Sequence, residues 1–154
     1  MTSLTIVLVE PRIPQNTGNI ARLCACLGAK LYLVGELGFV LNDKHLARAG
    51  MDYIDRAIPE HVTEMAALND TNPLDTRYYL SAKATKTVWD VSFPRHVTLV
   101  FGREDKGLPP ALIQSNPDRA ITLPMPGEGR SLNLSSAVAA TAYEVLRQQQ
   151  CVLQ

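Results

Sequence analysis

Two stretches of the chain place glycine, amide and hydroxyl side chains directly after an apolar run. The first is Leu99-Val100-Phe101-Gly102-Arg103-Glu104-Asp105-Lys106-Gly107-Leu108-Pro109. The second is Leu123-Pro124-Met125-Pro126, followed by Ser131-Leu132-Asn133-Leu134-Ser135. In both, a short run that reads as a buried strand breaks into Gly, Pro and polar residues before a helix pattern begins. Open α/β sheets hold their ligands in the crevice beyond the carboxyl ends of such strands. Gly102 lets a ligand approach the backbone there with no side chain between. Ser131 and Asn133 can cap the helix that follows and can also donate to a substrate. Two ordinary strand-to-helix turns fit the same spacing, so the pattern marks a site without naming its reaction.

Further polar groups recur along the chain. Asn19 and Arg22, three apart on a predicted helix, share a face near the end of the first strand, where a solvated surface arginine is the alternative reading. Lys44 and Arg48 are four apart in a basic helical patch at residues 43–49. They face one way, as phosphate contact requires and as a plain solvated face also allows. The loop Ser81-Ala82-Lys83-Ala84-Thr85-Lys86 adds two more lysines. Trp89 and Phe93 follow in a loop where stacking on a base and packing within the protein both fit. No Walker loop, no Gly-x-Gly-x-x-Gly after a strand and no Gly-x-Ser-x-Gly elbow occurs, which removes the usual nucleotide-binding enzymes and hydrolases. The three histidines lack metal spacing, and the three cysteines are an odd count without it. Cys24 and Cys26 read as reduced core or interface thiols.

The elements that must position these groups follow from hydrophobic periodicity. Residues 4–9, 30–34, 77–81, 96–101 and 120–123 read as strands. Their near-continuous apolar character is that of strands covered on both faces. Asn16 is the expected cap of a helix at 17–27 closed by Gly28, with Ile20, Leu23, Cys24 and Leu27 as its buried stripe. Residues 52–58 read as extended and 60–68 as a helix, and the longest helix is expected at 133–149. The alanines of that last helix, Ala137, Ala139, Ala140 and Ala142, permit close approach of the sheet or of a second subunit. The alternation predicts an α/β fold with a mostly parallel sheet of five to six strands and helices on both faces.

A length of 154 residues suits one domain with its own core. Apolar content of 46% and charged content of 19% are those of a soluble globular chain. Net charge is zero, so no global field draws the chain to nucleic acid and any RNA site must come from local patches. The apolar start is too short for a signal peptide and no run reaches membrane-spanning length, so a cytoplasmic protein without membrane contact is expected.

Three of these stretches together carry a resemblance. Asn16-Thr17-Gly18-Asn19-Ile20-Ala21-Arg22, Phe101-Gly102-Arg103-Glu104-Asp105-Lys106-Gly107-Leu108 and Leu123-Pro124-Met125-Pro126 with Ser131-Leu132-Asn133-Leu134-Ser135 are similar to the three motifs of the SPOUT RNA 2′-O-methyltransferases. Within that class the chain resembles the small enzymes acting on the tRNA wobble ribose, including the stretch Arg48-Ala49-Gly50-Met51-Asp52-Tyr53. The resemblance implies a single methyltransferase domain without a separate RNA-binding domain, a C-terminal deep trefoil knot, and a homodimer joined through the first and last helices. It implies S-adenosylmethionine as methyl donor, S-adenosylhomocysteine as product and no metal. The substrate implied is the cytidine or modified uridine at position 34, in the anticodon stem-loop of tRNA, with leucine tRNAs expected. By position, Leu80, Gly102, Leu123, Met125 and Ser131 would hold the cofactor. Arg22, Asn19, Glu104, Asn133 and Tyr143 would serve catalysis, Tyr143 being equally a packing residue. Lys44, Arg48, Lys83, Lys86 and Arg103 would meet RNA phosphates. Methylation of another tRNA or rRNA site, or a non-catalytic RNA-binding dimer of the same fold, is the alternative.

Overall fold

Short apolar runs covered on both faces pair most readily in parallel, and they do so here. The computed structural model describes residues 2–41 and 59–152. Along the chain come β1 (Ser3–Val9), α1 (Pro14–Leu27), β2 (Lys30–Val34), β3 (Glu60–Val62), β4 (Arg77–Leu80), β5 (His96–Phe101), α2 (Pro110–Gln114), β6 (Ala120–Ile121) and α3 (Leu134–Val152). The sheet has six strands in the order β3-β2-β1-β5-β4-β6, all of them parallel. β1 and β5 are central and almost fully buried.

Side chains on a strand alternate between faces, and the core divides accordingly. Ile6 and Leu8 join Ile20 and Cys24 of α1 and Val138 and Val145 of α3 on one face. Val7 and Val9 join Val100 and Leu108 on the other, with Leu68 and Met65 of a 3-10 turn (Met65–Leu68) and Leu112 and Ile113 of α2 packed alongside.

Several boundaries differ from the periodicity, among them β6, which ends at Ile121 rather than 123, and the last helix, which runs on to Val152 rather than 149. α1 begins at Pro14, three residues early, and Asn16 lies inside it rather than capping it. Proline at the first helical position has its φ preset and no amide to satisfy. Residues 60–68 do not form a helix. Glu60–Val62 pairs with β2 instead, Tyr32 opposite Glu60 and Val34 opposite Val62, and cross-strand pairing outweighs local propensity. The last helix starts one residue later, because Asn133 is its cap: Oδ1 accepts from the Ser135 amide at 2.9 Å. The basic patch 43–49 and the extended piece 52–58 lie outside the described residues.

The route past β6 positions the site. Ser81 N donates to Ile121 O at 3.0 Å, continuing the β4–β6 ladder. On the far side Thr122 N donates to Lys86 O and Val88 N to Thr122 O, each at 2.9 Å. The chain at 120–122 therefore runs between β4 and the segment 86–88 that continues from β4.

Candidate active site

Parallel strands send their carboxyl ends to one edge, and the turns there are freed from the ladder. A cavity of about 530 Å³ opens beyond β4, β5 and β6, within the range of small-molecule sites. Leu80 ends β4, Gly102 follows β5, Leu123 and Met125 follow β6, and Ser131 precedes α3. All five line the cavity, with Lys83, Arg103 and Glu104 beside them. Its wall also takes Pro110, Ile113 and Gln114 from α2, the short helix that follows the first glycine-rich stretch, with proline at its first position.

Gly102 is a glycine for a reason internal to the chain. A Cβ there would sit 2.0 Å from the Gly107 carbonyl carbon and 2.1 Å from Leu108 N. The loop closes on itself through Arg103 N to Gly107 O at 3.2 Å and Gly107 N to Arg103 O at 2.8 Å, with Gly107 at φ 70°. The tight turn leaves backbone rather than side chain as that part of the cavity wall.

The neighbouring Glu104 reaches from this turn to the start of α1. Its carboxylate accepts from Arg12 N at 2.8 Å, Ile13 N at 3.0 Å and Asn16 Nδ2 at 3.4 Å. A negative charge there satisfies donors that precede the helix and favours its positive end. Arg12 is held in turn: Nε donates to Glu10 O at 2.9 Å and Nη2 to Glu36 O. Glu104 thus joins the cavity wall to the helix that carries Asn19 and Arg22. Nothing in the spacing signalled this contact.

The remaining polar residues divide. Asn19, Arg22, Asn133 and Tyr143 are exposed and stand outside the cavity wall, on α1 and at the start and along the length of α3, two helices packed on each other. Asn133 Oδ1 also takes the Ser135 hydroxyl, at 2.6 Å. Tyr143 is 54% exposed and so lies outside the buried core of this chain. Arg103 forks onto Asp105, with both hydrogen bonds at 2.9 Å, and this contact first of all holds the Asp105 carboxyl below its ordinary range. Lys83 and Lys86 are exposed. Lys44 and Arg48 lie outside the described residues. Cys24 is fully buried and Cys26 exposed, which puts only the first in the core. Among the described residues no group of His, Cys, Asp or Glu is placed to hold a metal, and no helix is long and apolar enough to cross a membrane.

The arrangement is a small-molecule cavity at the strand ends, with exposed polar side chains on the two helices α1 and α3 that pack on each other. Residues 3–143 match the SpoU rRNA Methylase family. The chain is 42% identical to a tRNA (cytidine(34)-2′-O)-methyltransferase of Escherichia coli K12, over 94% of this chain and 93% of that one. It is 46% identical to the protein so named from Acidovorax, over 93% and 90%. A solved structure described as structural insights into the 2-OH methylation of C/U34 on tRNA superposes with a TM-score of 0.90 at 38% identity, covering 97% of this chain and 98% of that one. The AviRb methyltransferase of Streptomyces viridochromogenes, solved with AdoMet, superposes with a TM-score of 0.83 at 25% identity over 97% and 58%. With the cavity at the strand ends, the glycine turn that walls it and this end-to-end similarity, the chain belongs to the SpoU methylase family.

Proposed function

We propose that this chain methylates the ribose 2′-hydroxyl of nucleotide 34, cytidine or modified uridine, in tRNA, leucine tRNAs among them, using S-adenosylmethionine. The observation that carries the reading is the convergence of Leu80, Gly102, Leu123, Met125 and Ser131, from separate stretches of sequence, on one cavity. Its volume, and the tight Gly102 turn that keeps a side chain out of that part of the wall, suit a ligand of nucleoside size. Bound there, S-adenosylmethionine supplies the methyl group on a sulfonium, and no metal takes part. Because the transfer needs a 2′-hydroxyl, the reaction itself separates RNA from DNA.

The protein's own task is alignment and handling of one proton. Arg22 keeps its charge in proteins and is a poor base. Its role in this reading is to stabilise the developing alkoxide, or to clamp a neighbouring phosphate that takes the proton. In this reading Asn19 orients Arg22, Glu104 places the helix that bears them both, and Asn133 and Tyr143 of the last helix assist catalysis. Lys44, Arg48, Lys83, Lys86 and Arg103 meet phosphates of the anticodon stem-loop.

The passage of residues 120–122 between β4 and the segment 86–88 supports a C-terminal trefoil knot. The exposed Ala140 and Tyr143 on α3 support pairing of two copies through α1 and α3. We take the chain to act as one methyltransferase domain, in the cytoplasm.

The test is transfer of labelled methyl from S-adenosylmethionine into tRNA lacking the modification, followed by nuclease mapping. Label as a 2′-O-methyl nucleotide at position 34 is the expected result, and label at another tRNA or rRNA site moves the substrate while keeping the chemistry. Arg22→Ala should abolish transfer while tRNA binding persists. If wild-type protein binds the cofactor but labels no RNA, the chain is a non-catalytic binder.

A further inference from the structure

We propose that the indole of Trp89 is a stacking platform for an unpaired base of the RNA, beside the cavity rather than within it. The inference rests on the reading above. Trp89 is the chain's single tryptophan and is 71% exposed, whereas Phe93, four residues on, packs edge-on against Tyr78 at 5.0 Å. A lone exposed aromatic residue is ordinary in itself. Its footing here is unusual.

Trp89 rides on a 3-10 turn (Val88–Asp90) closed by a reciprocal capping box. Thr87 N donates to Asp90 Oδ2 at 2.9 Å, Thr87 Oγ1 donates to the same oxygen at 3.1 Å, and Trp89 N donates to Thr87 Oγ1 at 3.2 Å. Val88 is fully buried and anchors the turn from below. Thr87 is paired with Thr122, which lines the cavity. The indole is therefore presented on a fixed base at a short remove from the cofactor cavity, so little conformational freedom is lost when a base lies against it.

The surroundings select RNA over a second protein surface. The preceding loop exposes Lys83, Thr85 and Lys86, and Lys83 lines the cavity. Lysine is depleted from the cores of protein interfaces, while lysines interleaved with an aromatic face are the composition of single-stranded nucleic-acid sites. The Asp90 carboxylate is engaged by Thr87.

Because no other tryptophan is present, intrinsic fluorescence reads this contact directly. The full chain is titrated with tRNA lacking the position-34 methyl group, and Trp89→Ala and Trp89→Phe are assayed for methyl transfer after their melting temperatures are checked. Expected are saturable quenching by tRNA, a 5- to 100-fold (order of magnitude) rise in KM for tRNA in Trp89→Ala, recovery in Trp89→Phe, and an unchanged KM for S-adenosylmethionine. Emission unmoved by saturating tRNA, with KM unchanged in Trp89→Ala, overturns the proposal. So does an indole already shielded from acrylamide in the free protein with Trp89→Ala halving the sedimenting mass, which assigns the face to a second copy. If wild-type protein leaves position 34 unmethylated while tRNA still quenches Trp89, the platform stands and the substrate reading alone falls.

Discussion

Glu104 ties the cavity wall to the start of α1 through one side chain. Its carboxylate accepts two backbone amides and the Asn16 amide, from residues some ninety positions earlier in the chain. Neither Glu104→Ala nor Glu104→Gln can reproduce this, since the glutamine amide nitrogen would face an N–H donor. Both substitutions should cost about 1–3 kcal/mol in urea unfolding and lower kcat through displacement of Arg22. A glutamine variant with wild-type stability would refute this account of the contact. Arg103 makes a second residue-scale case. Its fork onto Asp105 must open, or be shared, before it can hold a phosphate. Asp105→Asn should then tighten tRNA binding and steepen the dependence of log K on log salt by about 0.7–0.9. An unchanged salt slope would remove Arg103 from the RNA surface. Sequence pattern marked Glu104 and Arg103 as site residues through the motif they belong to; the partners of Glu104 were illegible because those contacts form only when β1 and β5 lie side by side, whereas Arg103 turns to Asp105 two residues on.

At the scale of elements, what could be read was what periodicity encodes. The apolar runs located β1, β2, β4 and β5 within a residue or so, and the Ile20, Cys24 stripe located α1. β3 escaped because Glu60 and His61 are exposed at a sheet edge and give no apolar alternation. α2 was expected as a helix pattern after Pro109 but without bounds, because five residues span little more than one turn. The resemblance picked out five residues that line the cavity, whereas spacing alone marked only the turns. Two elements carry tests. Gly102→Ala drives a Cβ into backbone at 2.0 Å, so the turn after β5 must open. The expected outcome is at least a roughly tenfold loss of S-adenosylmethionine affinity by calorimetry, with the sheet retained by circular dichroism. Burial pushes the Cys24 thiol of α1 up to about 12 from 9.0. A folded value above the unfolded one leaves stability intact below pH 9, where both states are protonated. Between pH 9 and about 12 only the unfolded chain ionises, and stability falls by about 1.4 kcal/mol per pH unit from this group. Alkaline unfolding of Cys24→Ala should lack that component, and Cys24 should resist alkylation at pH 8 while exposed Cys26 reacts.

For the whole molecule the question is how a chain of zero net charge holds a polyanion. Among the described residues Lys83 and Lys86 are exposed on one loop, and Arg103 is already engaged by a carboxylate. Two copies joined through α1 and α3 would pool their basic loops and bring the exposed Asn19, Arg22 and Tyr143 of those helices to the junction. The exposed Ala140, one turn before Tyr143, permits the close helix approach such pairing needs. A charge placed there tests the idea without disturbing the core, because Val138, Ala142 and Val145 carry the buried stripe of α3. Ala140→Glu should sediment as a monomer with an unchanged circular dichroism spectrum and bind tRNA at least tenfold more weakly (order of magnitude), since halving the phosphate contacts removes a large share of a salt-dependent affinity. Its binding should also show a shallower salt slope than wild type. A folded monomer that keeps wild-type tRNA affinity would mean that one copy suffices, and the basic groups of a single chain would then have to form the whole RNA surface.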